Sequence, residues 1–266
     1  MPELAEVAYA SKQWNLAVSK RVKEVVIHPT SRVFRDCNKK NVFELLSGKQ
    51  MKSGQTHGKQ ILFHFSGNVW LGVHLGMTGS LLNEKATYLP QKHDALVLKV
   101  NTHSFIFRDP RQFGRIRIEE GKNQPVWWSN QPISMLDSKF EIKILKNALI
   151  RHNRRPIKAL LLDQRYFPGM GNWMADEVLW RAKIHPANLC SKIPQLKMAS
   201  LFNEILFVVS GALNSVGKNG GDPPKGWLFH ARWKDGQFCP KTNSSLKRES
   251  IGGRTTCFCP ELQKMF

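Results

Sequence analysis

The apolar residues change period part-way along the chain, and that change limits the fold more than any other feature. Up to about residue 120 they come in short alternating runs punctuated by turn residues: Val22 to Ile27, Gln60 to Phe65, Val69 to Leu75, Ala95 to Val100, Ser104 to Phe107 and Arg115 to Ile118. Runs of period two read as strands, and so many at close spacing predict a sandwich or barrel. A helix is expected before them, from residue 3 to about residue 20, where Leu4, Val7, Trp14, Leu16 and Val18 stand among polar positions. From Lys139 the spacing becomes three and four residues, over Lys139 to Arg151, Pro156 to Leu162, Asn172 to Ala182 and Ile193 to Val216. These stretches predict helices. Gly121 to Pro132, rich in Gly, Asn, Gln and Pro, is the expected boundary between the two regimes. After a Gly/Pro-rich break at Lys218 to Gly226, residues Trp227 to Phe266 are too few and too polar for a core of their own. They read as a hairpin arm with Gly252-Gly253 near its tip. The expected class is α+β: an N-terminal helix with a β-sandwich over 1–122, a helical domain over 133–222 and a hairpin over 223–266.

Charge narrows the partner. The chain carries 40 basic against 20 acidic residues, a formal net charge of +20. Such a surface recruits polyanions and releases their counterions, so nucleic acid is the expected partner. An anionic membrane is the competitor, but no apolar run looks long enough to span a bilayer, and the charged first twenty residues do not read as a signal peptide. Five cysteines, three of them crowded near the C-terminus, do not read as a secreted disulfide framework. A monomer in a reducing, intracellular, DNA-associated setting is expected, with no membrane partner.

Two short stretches carry possible chemistry. In Met1-Pro2-Glu3-Leu4-Ala5-Glu6-Val7, removal of Met1 would make Pro2 a free secondary amine beside a carboxylate. An N-terminal amine titrates near pH 8, so about a tenth is neutral at pH 7. A secondary amine that attacks an aldehyde-level carbon gives an iminium that is charged without a proton and serves as an electron sink. On these residues alone the simpler role is the stronger: Pro2 suits a first helical turn, and Glu3 and Glu6 complement the helix dipole. The second stretch is Phe167-Pro168-Gly169-Met170-Gly171-Asn172-Trp173. Its glycines at a helix start could offer backbone N–H groups to a phosphate. An ordinary N-cap at Asn172 explains it equally well.

Taken in order, further segments carry a family resemblance: Pro2-Glu3-Leu4 with Glu6-Val7, His74-Leu75-Gly76-Met77-Thr78-Gly79, His93-Asp94, Asp109-Pro110-Arg111-Gln112-Phe113-Gly114, Gly169-Met170-Gly171-Asn172 and Gly253-Arg254-Thr255-Thr256. The chain resembles the formamidopyrimidine-DNA glycosylase and endonuclease VIII family over nearly its whole length. The resemblance implies a β-sandwich catalytic domain, a helix–two-turn–helix (H2TH) domain and a C-terminal finger, with double-stranded DNA bearing oxidised bases or abasic sites as partner. It implies that Pro2 attacks C1′ of the damaged nucleotide, that Glu3 supplies the proton that opens the sugar and expels the base, and that β- and δ-eliminations follow. Lys59 matches a lysine near the reacting sugar and phosphate, although without the family it is one of many solvated lysines. Glu6 and Glu177 match acidic positions around the site, where support of a helix start is as good a reading as catalysis. An enzyme of this kind rotates its nucleotide out and fills the hole. Met77, Arg111 and Phe113 match the filling residues, while core packing is the plain alternative for Met77 and Phe113. His74 belongs to the same DNA-facing segment. His93, Arg111, Asn153 and Asn172 are implied phosphate contacts, and Lys158 a basic residue at the pocket edge.

Two departures stand out. The family finger holds zinc through two Cys-x-x-Cys pairs. Here these positions read Cys239-Pro240-Lys241-Thr242 and Cys259-Pro260-Glu261-Leu262, and Thr242 and Leu262 cannot replace thiolates. A rearranged site from His230, Cys239, Cys257 and Cys259 is the lesser alternative. A zincless hairpin that brings Arg254 to the DNA, held by Trp227, Phe229, Trp233 and Phe238, is the expectation, with neither metal nor cofactor. The second departure is the short segment Gly221 to Gly226, which is similar to the endonuclease VIII type, whereas Met77, Arg111 and Phe113 are similar to the formamidopyrimidine type. Base preference is therefore left at an oxidised base plus abasic-site cleavage. A DNA-binding protein of the same fold without cleavage is the alternative function. An RNA-binding translation factor would leave the N-terminal motif and the Asp109-Pro110-Arg111 loop unexplained.

Overall fold

A computed structural model describes residues 1–266, which divide into two compact units. Met1–Pro2 with Glu6–Gln131 make the first, and Glu3–Ala5 with Pro132–Phe266 the second. Helix α1 (Leu4–Asn15) therefore begins among residues of the second unit and continues in the first.

The first unit is the expected sandwich. One antiparallel sheet has the order β1 (Glu24–Ile27), β6 (Asp94–Lys99), β7 (His103–Arg108), β5 (Ser80–Lys85). The other has the order β2 (Met51–His57), β3 (Gln60–Phe65), β4 (Val69–His74), β8 (Arg115–Glu120). Every second residue of the inner strands turns inward: Ile61, Phe63 and Phe65, then Val69, Leu71 and Val73, Leu96 and Leu98, and Phe105 and Phe107 share one core. Helix α1 adds Val7, Ala10 and Trp14. The Trp14 ring lies 5.2 Å from that of Phe63, and its indole N–H donates to the Ile106 carbonyl at 3.3 Å.

Three elements here were absent from the sequence reading. Strands β2 and β5 read as polar, MKSGQTH and SLLNEK. Both are edge strands, whose main-chain pairing to one neighbour requires no alternating apolar face. Helix α2 (Lys39–Leu46) is short and starts at Asn38, whose side chain accepts from Lys40 N at 2.8 Å. The expected connector 121–132 also folds, as helix α3 (Val126–Ser129). Trp127 and Trp128 pack with Leu62 and Trp70 on the outer side of the β3–β4 pair. Gly72 leaves room for this, since a Cβ there would come within 2.6 Å of the Trp127 ring.

The second unit contains α4 (Ile142–Arg151), α5 (Ile157–Leu161), α6 (Asn172–Ala182) and α7 (Gln195–Ala212), the last continued by a π turn over Leu213–Gly217. Helix α6 is buried along almost its whole length, from Trp173 to Trp180. By length and composition Gln195–Gly217 could cross a bilayer, contrary to the sequence reading that no run could. Its Leu201, Ile205, Val208, Val209, Ala212 and Val216 recur at helical spacing and sit in the core of the unit.

The C-terminal arm pairs β9 (Lys247–Ile251) with β10 (Arg254–Phe258) through Gly252 and Gly253. Both glycines have positive φ, 61° and 75°, as a two-residue hairpin turn of this kind requires. Its apolar residues Leu228, Cys239, Leu246, Cys257 and Cys259 cluster around Trp180 of α6. The arm thus has no core independent of the helices, which accounts for 223–266 falling within the second unit.

Phe63 is fully buried between the sheets and α1. Phe63→Ala should cost about 3–5 kcal/mol, read as a lower urea midpoint. A change below about 1 kcal/mol, the size of an ordinary surface substitution or less, would contradict this core.

Candidate functional site

In the second unit the two stretches singled out in the sequence meet. The Glu3 carboxylate lies at the start of α6, where Oε1 accepts from Trp173 N at 2.9 Å and Oε2 from Met174 N at 3.1 Å. Leu4 N donates to the Gly169 carbonyl at 3.1 Å. The N-cap position is Gly171, which has no side chain to cap with. A Cβ there would overlap the Glu3 carboxyl group, so glycine is required for steric room. These N–H groups were expected to face a phosphate; two of them are instead taken by Glu3, which is 2% exposed. Asn172 is likewise engaged, its amide nitrogen donating to the Thr255 carbonyl of β10 at 2.8 Å.

Lys158 requires a correction. It is not at a pocket edge but wholly buried, its Nζ bonded to the Asp176 carboxylate and to the Asn172 carbonyl at 2.7 Å. A side chain enclosed in this way cannot reach a phosphate. Glu177 is also enclosed: Arg181 Nε donates to it at 2.7 Å and Phe229 N at 3.2 Å. Burial pushes its carboxyl up to about 7 despite the opposing pull of Arg181. It braces the turn Leu228–Ala231 against α6 instead of supporting a helix start or facing solvent. Asn153 and Arg254 are exposed, the latter at the first position of β10. Glu6 is half-buried in the first turn of α1.

In the first unit Pro2 is half-buried, and Lys59, also half-buried, follows Gly58 in the β2–β3 turn. Two loops come together around Asp109, which is 2% exposed. Its carboxylate accepts from Thr78 Oγ1 at 2.8 Å and from Gly114 N at 2.6 Å, and its own N–H donates to the His93 carbonyl at 3.0 Å. Gly76, at φ 64°, lies so close to the Phe113 backbone that a Cβ would collide with it. The loops thereby hold Met77 half-buried and Arg111 and Phe113 exposed, with the guanidinium 5.1 Å from the Phe113 ring centre. A phenylalanine 51% exposed at a loop tip is not a core residue. His93 is exposed, while its neighbour Asp94 is buried and takes Arg108 Nε at 2.7 Å and the Tyr88 hydroxyl at 2.5 Å. His74 ends β4 and accepts from Gly76 N at Nδ1, 3.1 Å away.

Asp109 and Asp176 escaped the sequence reading as site-forming residues. For Asp109 the available signal was an acidic residue next to a Gly- and Pro-containing turn, which can close that turn by accepting its N–H groups; for Asp176, inside α6 with partners far along the chain, no local signal existed.

Comparison with known proteins agrees with this geometry. The model for the formamidopyrimidine-DNA glycosylase N-terminal domain matches residues 1–116, and that for the formamidopyrimidine-DNA glycosylase H2TH domain matches 132–221. The formamidopyrimidine-DNA glycosylase of Roseiflexus sp. (strain RS-1) is 32% identical over 277 residues, covering 99% of this chain and 100% of that protein. Two crystal structures of the Lactococcus lactis enzyme share the fold. The wild-type enzyme with N7-benzyl-Fapy-dG DNA has a TM-score of 0.86 at 24% identity over 99% of this chain and 100% of that one. A complex with abasic-site DNA has 0.87 at 23% over 98% and 99%.

Burial, with the charges of Lys59, Arg115, Arg117 and Arg35, pushes His74 down to about 4. The folded state therefore binds fewer protons than the unfolded chain between pH 4 and 6.5. Stability from this group is complete above about pH 6.5 and lost as pH falls towards 4. The His74 ring protons should titrate by NMR with a midpoint near 4; a midpoint near 6.5 would contradict the geometry.

Proposed function

The chain belongs to the formamidopyrimidine-DNA glycosylase family and is a DNA N-glycosylase of base excision repair, and from that premise we propose that it is bifunctional, excising an oxidised base and then cleaving the abasic strand through an N-terminal proline iminium. The observation that carries the reading is the Glu3 carboxylate fixed on the first turn of α6, one peptide bond from Pro2. A buried group held by two N–H donors keeps one orientation, which a proton donor at a reacting sugar needs.

Once Met1 is removed, the Pro2 nitrogen attacks C1′ as the bond from C1′ to the base breaks. Glu3 delivers the proton that opens the sugar ring, and the proton shed by the Pro2 nitrogen as the iminium forms leaves with the base. The resulting iminium acidifies the C2′ protons. Loss of one expels the 3′ phosphate by β-elimination, and a second elimination expels the 5′ phosphate. Water then hydrolyses the iminium and frees the proline. Lys59 and Arg254 are cations suited to the phosphates of the lesion. Met77, Arg111 and Phe113 fill the vacated stack, with the exposed Phe113 ring as wedge and Arg111 as partner for the orphaned base. His93, Asn153 and the Asn172 backbone are candidates for further phosphate contacts. Damaged or abasic duplex DNA, as in the Lactococcus lactis complexes, is the partner we infer for this chain.

The zinc that the family finger implies does not suit these residues. Cys239 Sγ accepts the Trp180 indole N–H at 3.3 Å, and Cys259 Sγ lies 3.3 Å from Ser244 Oγ and 3.6 Å from Thr242 Oγ1. The other two positions of the pairs are Thr242 and Leu262, which offer no thiolate. No three His, Cys, Asp or Glu side chains are gathered as a ligand set. We read the finger as a zincless hairpin.

Borohydride reduction with an abasic-site duplex decides between this enzyme and a DNA binder without cleavage. The wild type should give a covalent adduct that Pro2→Gly abolishes, and absence of an adduct in the wild type would favour the binder. Elemental analysis of the purified protein should find well under one zinc per chain; one equivalent would overturn the zincless finger.

A further inference from the structure

Asp176 carries four hydrogen bonds, and the chemistry above makes no use of it. Its side chain is fully buried. Oδ1 pairs with Lys158 Nζ, and Oδ2 accepts from Arg232 at 2.6 Å (NH2) and 3.2 Å (Nε) and from Cys257 N of β10 at 3.1 Å. One carboxylate thus ties together α5 through Lys158, the segment after Leu228–Ala231 through Arg232, and the finger strand through a backbone N–H.

Such a network is a poor way to gain stability. Two buried cations on one carboxylate carry a desolvation cost that well-packed apolar residues would avoid. Its members are fully satisfied and directional, so what it supplies is a fixed position. The finger needs one, because a two-stranded hairpin is marginal by itself and two of the four metal-ligand positions, Thr242 and Leu262, no longer carry a thiolate. Further contacts lie on the same side of β10. Asn172 Nδ2 bonds the Thr255 carbonyl, and a Cβ on Gly252 would meet Ala159 Cβ of α5 at 2.8 Å.

We propose that Asp176 is the positioning residue of the finger, taking the role a zinc ion has in metal-bearing relatives and setting the place of Arg254, three residues along the same strand from Cys257. At about 3.4 Å per residue, Arg254 lies about 10 Å from the anchored N–H, so a small rotation at the anchor moves its guanidinium off a phosphate. The part that concerns Arg254 rests on its proposed role in δ-elimination.

Arg232→Met removes one of the two finger links to Asp176, loosening the carboxylate oxygen that also accepts Cys257 N, and leaves the buried Lys158–Asp176 pair balanced; Asp176→Asn removes the centre. Both are made in the full chain, alone and with Arg254→Ala, and Arg232→Met decides if Asp176→Asn does not fold. Hydrogen exchange of the 254–258 amides should speed up by about tenfold or more while 173–180 stays protected. Borohydride adduct formation should stay within about twofold of wild type, and the ratio of δ- to β-product should fall towards that of Arg254→Ala. Adding Arg254→Ala should lower it no further, as expected of two changes acting through one group. Unchanged exchange in Arg232→Met would overturn the proposal, as would an equal loss of adduct and δ-product. So would wild-type exchange at 254–258 that rises on adding EDTA, because a metal would then hold the strand. If Arg254→Ala itself keeps full δ-product, the role given to Arg254 fails, and the exchange data alone decide whether Asp176 anchors the finger.

Discussion

A carboxylate at position 3 caps a helix that begins at position 172, and the second unit is arranged around that contact. The first N–H groups of a helix lack partners within it, and a buried helix start must find them elsewhere. Here α6 is buried nearly from end to end, so the acceptor has to come from inside the fold, and Glu3 is that acceptor. Gly171 must lack a side chain because the carboxyl group occupies the space. The carboxylate and the Gly-Met-Gly turn are two halves of one structure, each without a reason apart from the other.

The chain uses its scarce acids inside. Of its twenty, Glu3, Asp94, Asp109, Asp176 and Glu177 are buried, whereas of its forty basic residues only Lys158 and Arg232 are. Each buried acid accepts main-chain N–H groups or cations that would otherwise be unsatisfied. The outward face is therefore more basic than the formal charge of +20 suggests. That strengthens attraction to a polyanion, and the same buried acids fix loops: Asp109 holds the tips bearing Met77, Arg111 and Phe113, and Asp94 holds the segment bearing His93.

What could be read from the sequence depended on whether the cause was local. The Gly252-Gly253 turn was legible because two positive φ values in a hairpin call for glycine, and α6 because its apolar residues recur at three and four. The paired sheets followed from alternation in their inner strands. Edge strands β2 and β5 were not legible, since neighbour pairing, not burial, makes them strands. Nor was the connector: Trp127 and Trp128 fold it only because the outer side of β3 and β4 needs a cover. Within the site, residue types were legible and partners were not. Lys158 read as a surface cation because nothing local predicts a carboxylate eighteen residues later on another helix, and the phosphate-ready N–H groups of the Gly turn read as open because their acceptor lies some 170 residues earlier.

In the zincless finger we propose, packing and hydrogen bonds stand where a zinc finger would place a metal, and that alters how the hairpin is held. Two Cys-x-x-Cys pairs would grip a hairpin at its base and leave orientation to the rigidity of the coordination sphere. In this chain the base is filled by thiols packed against Trp180, with Lys241 4.2 Å from the centre of its ring. That contact is apolar and cation–π in character, neither of which fixes a direction strongly. The directional contacts lie along β10, at Cys257 N on Asp176 and the Thr255 carbonyl on Asn172. Hydrogen bonds spaced along a strand resist rotation better than a grip at one end, because each acts on a different lever arm about the base. A hairpin without metal can therefore place a residue at its tip, provided the helix beneath carries the matching polar groups. In α6 these are Asp176 and Asn172, on the helix whose first turn is closed by Glu3, so Asp176 and the Glu3 carboxylate share one rigid support.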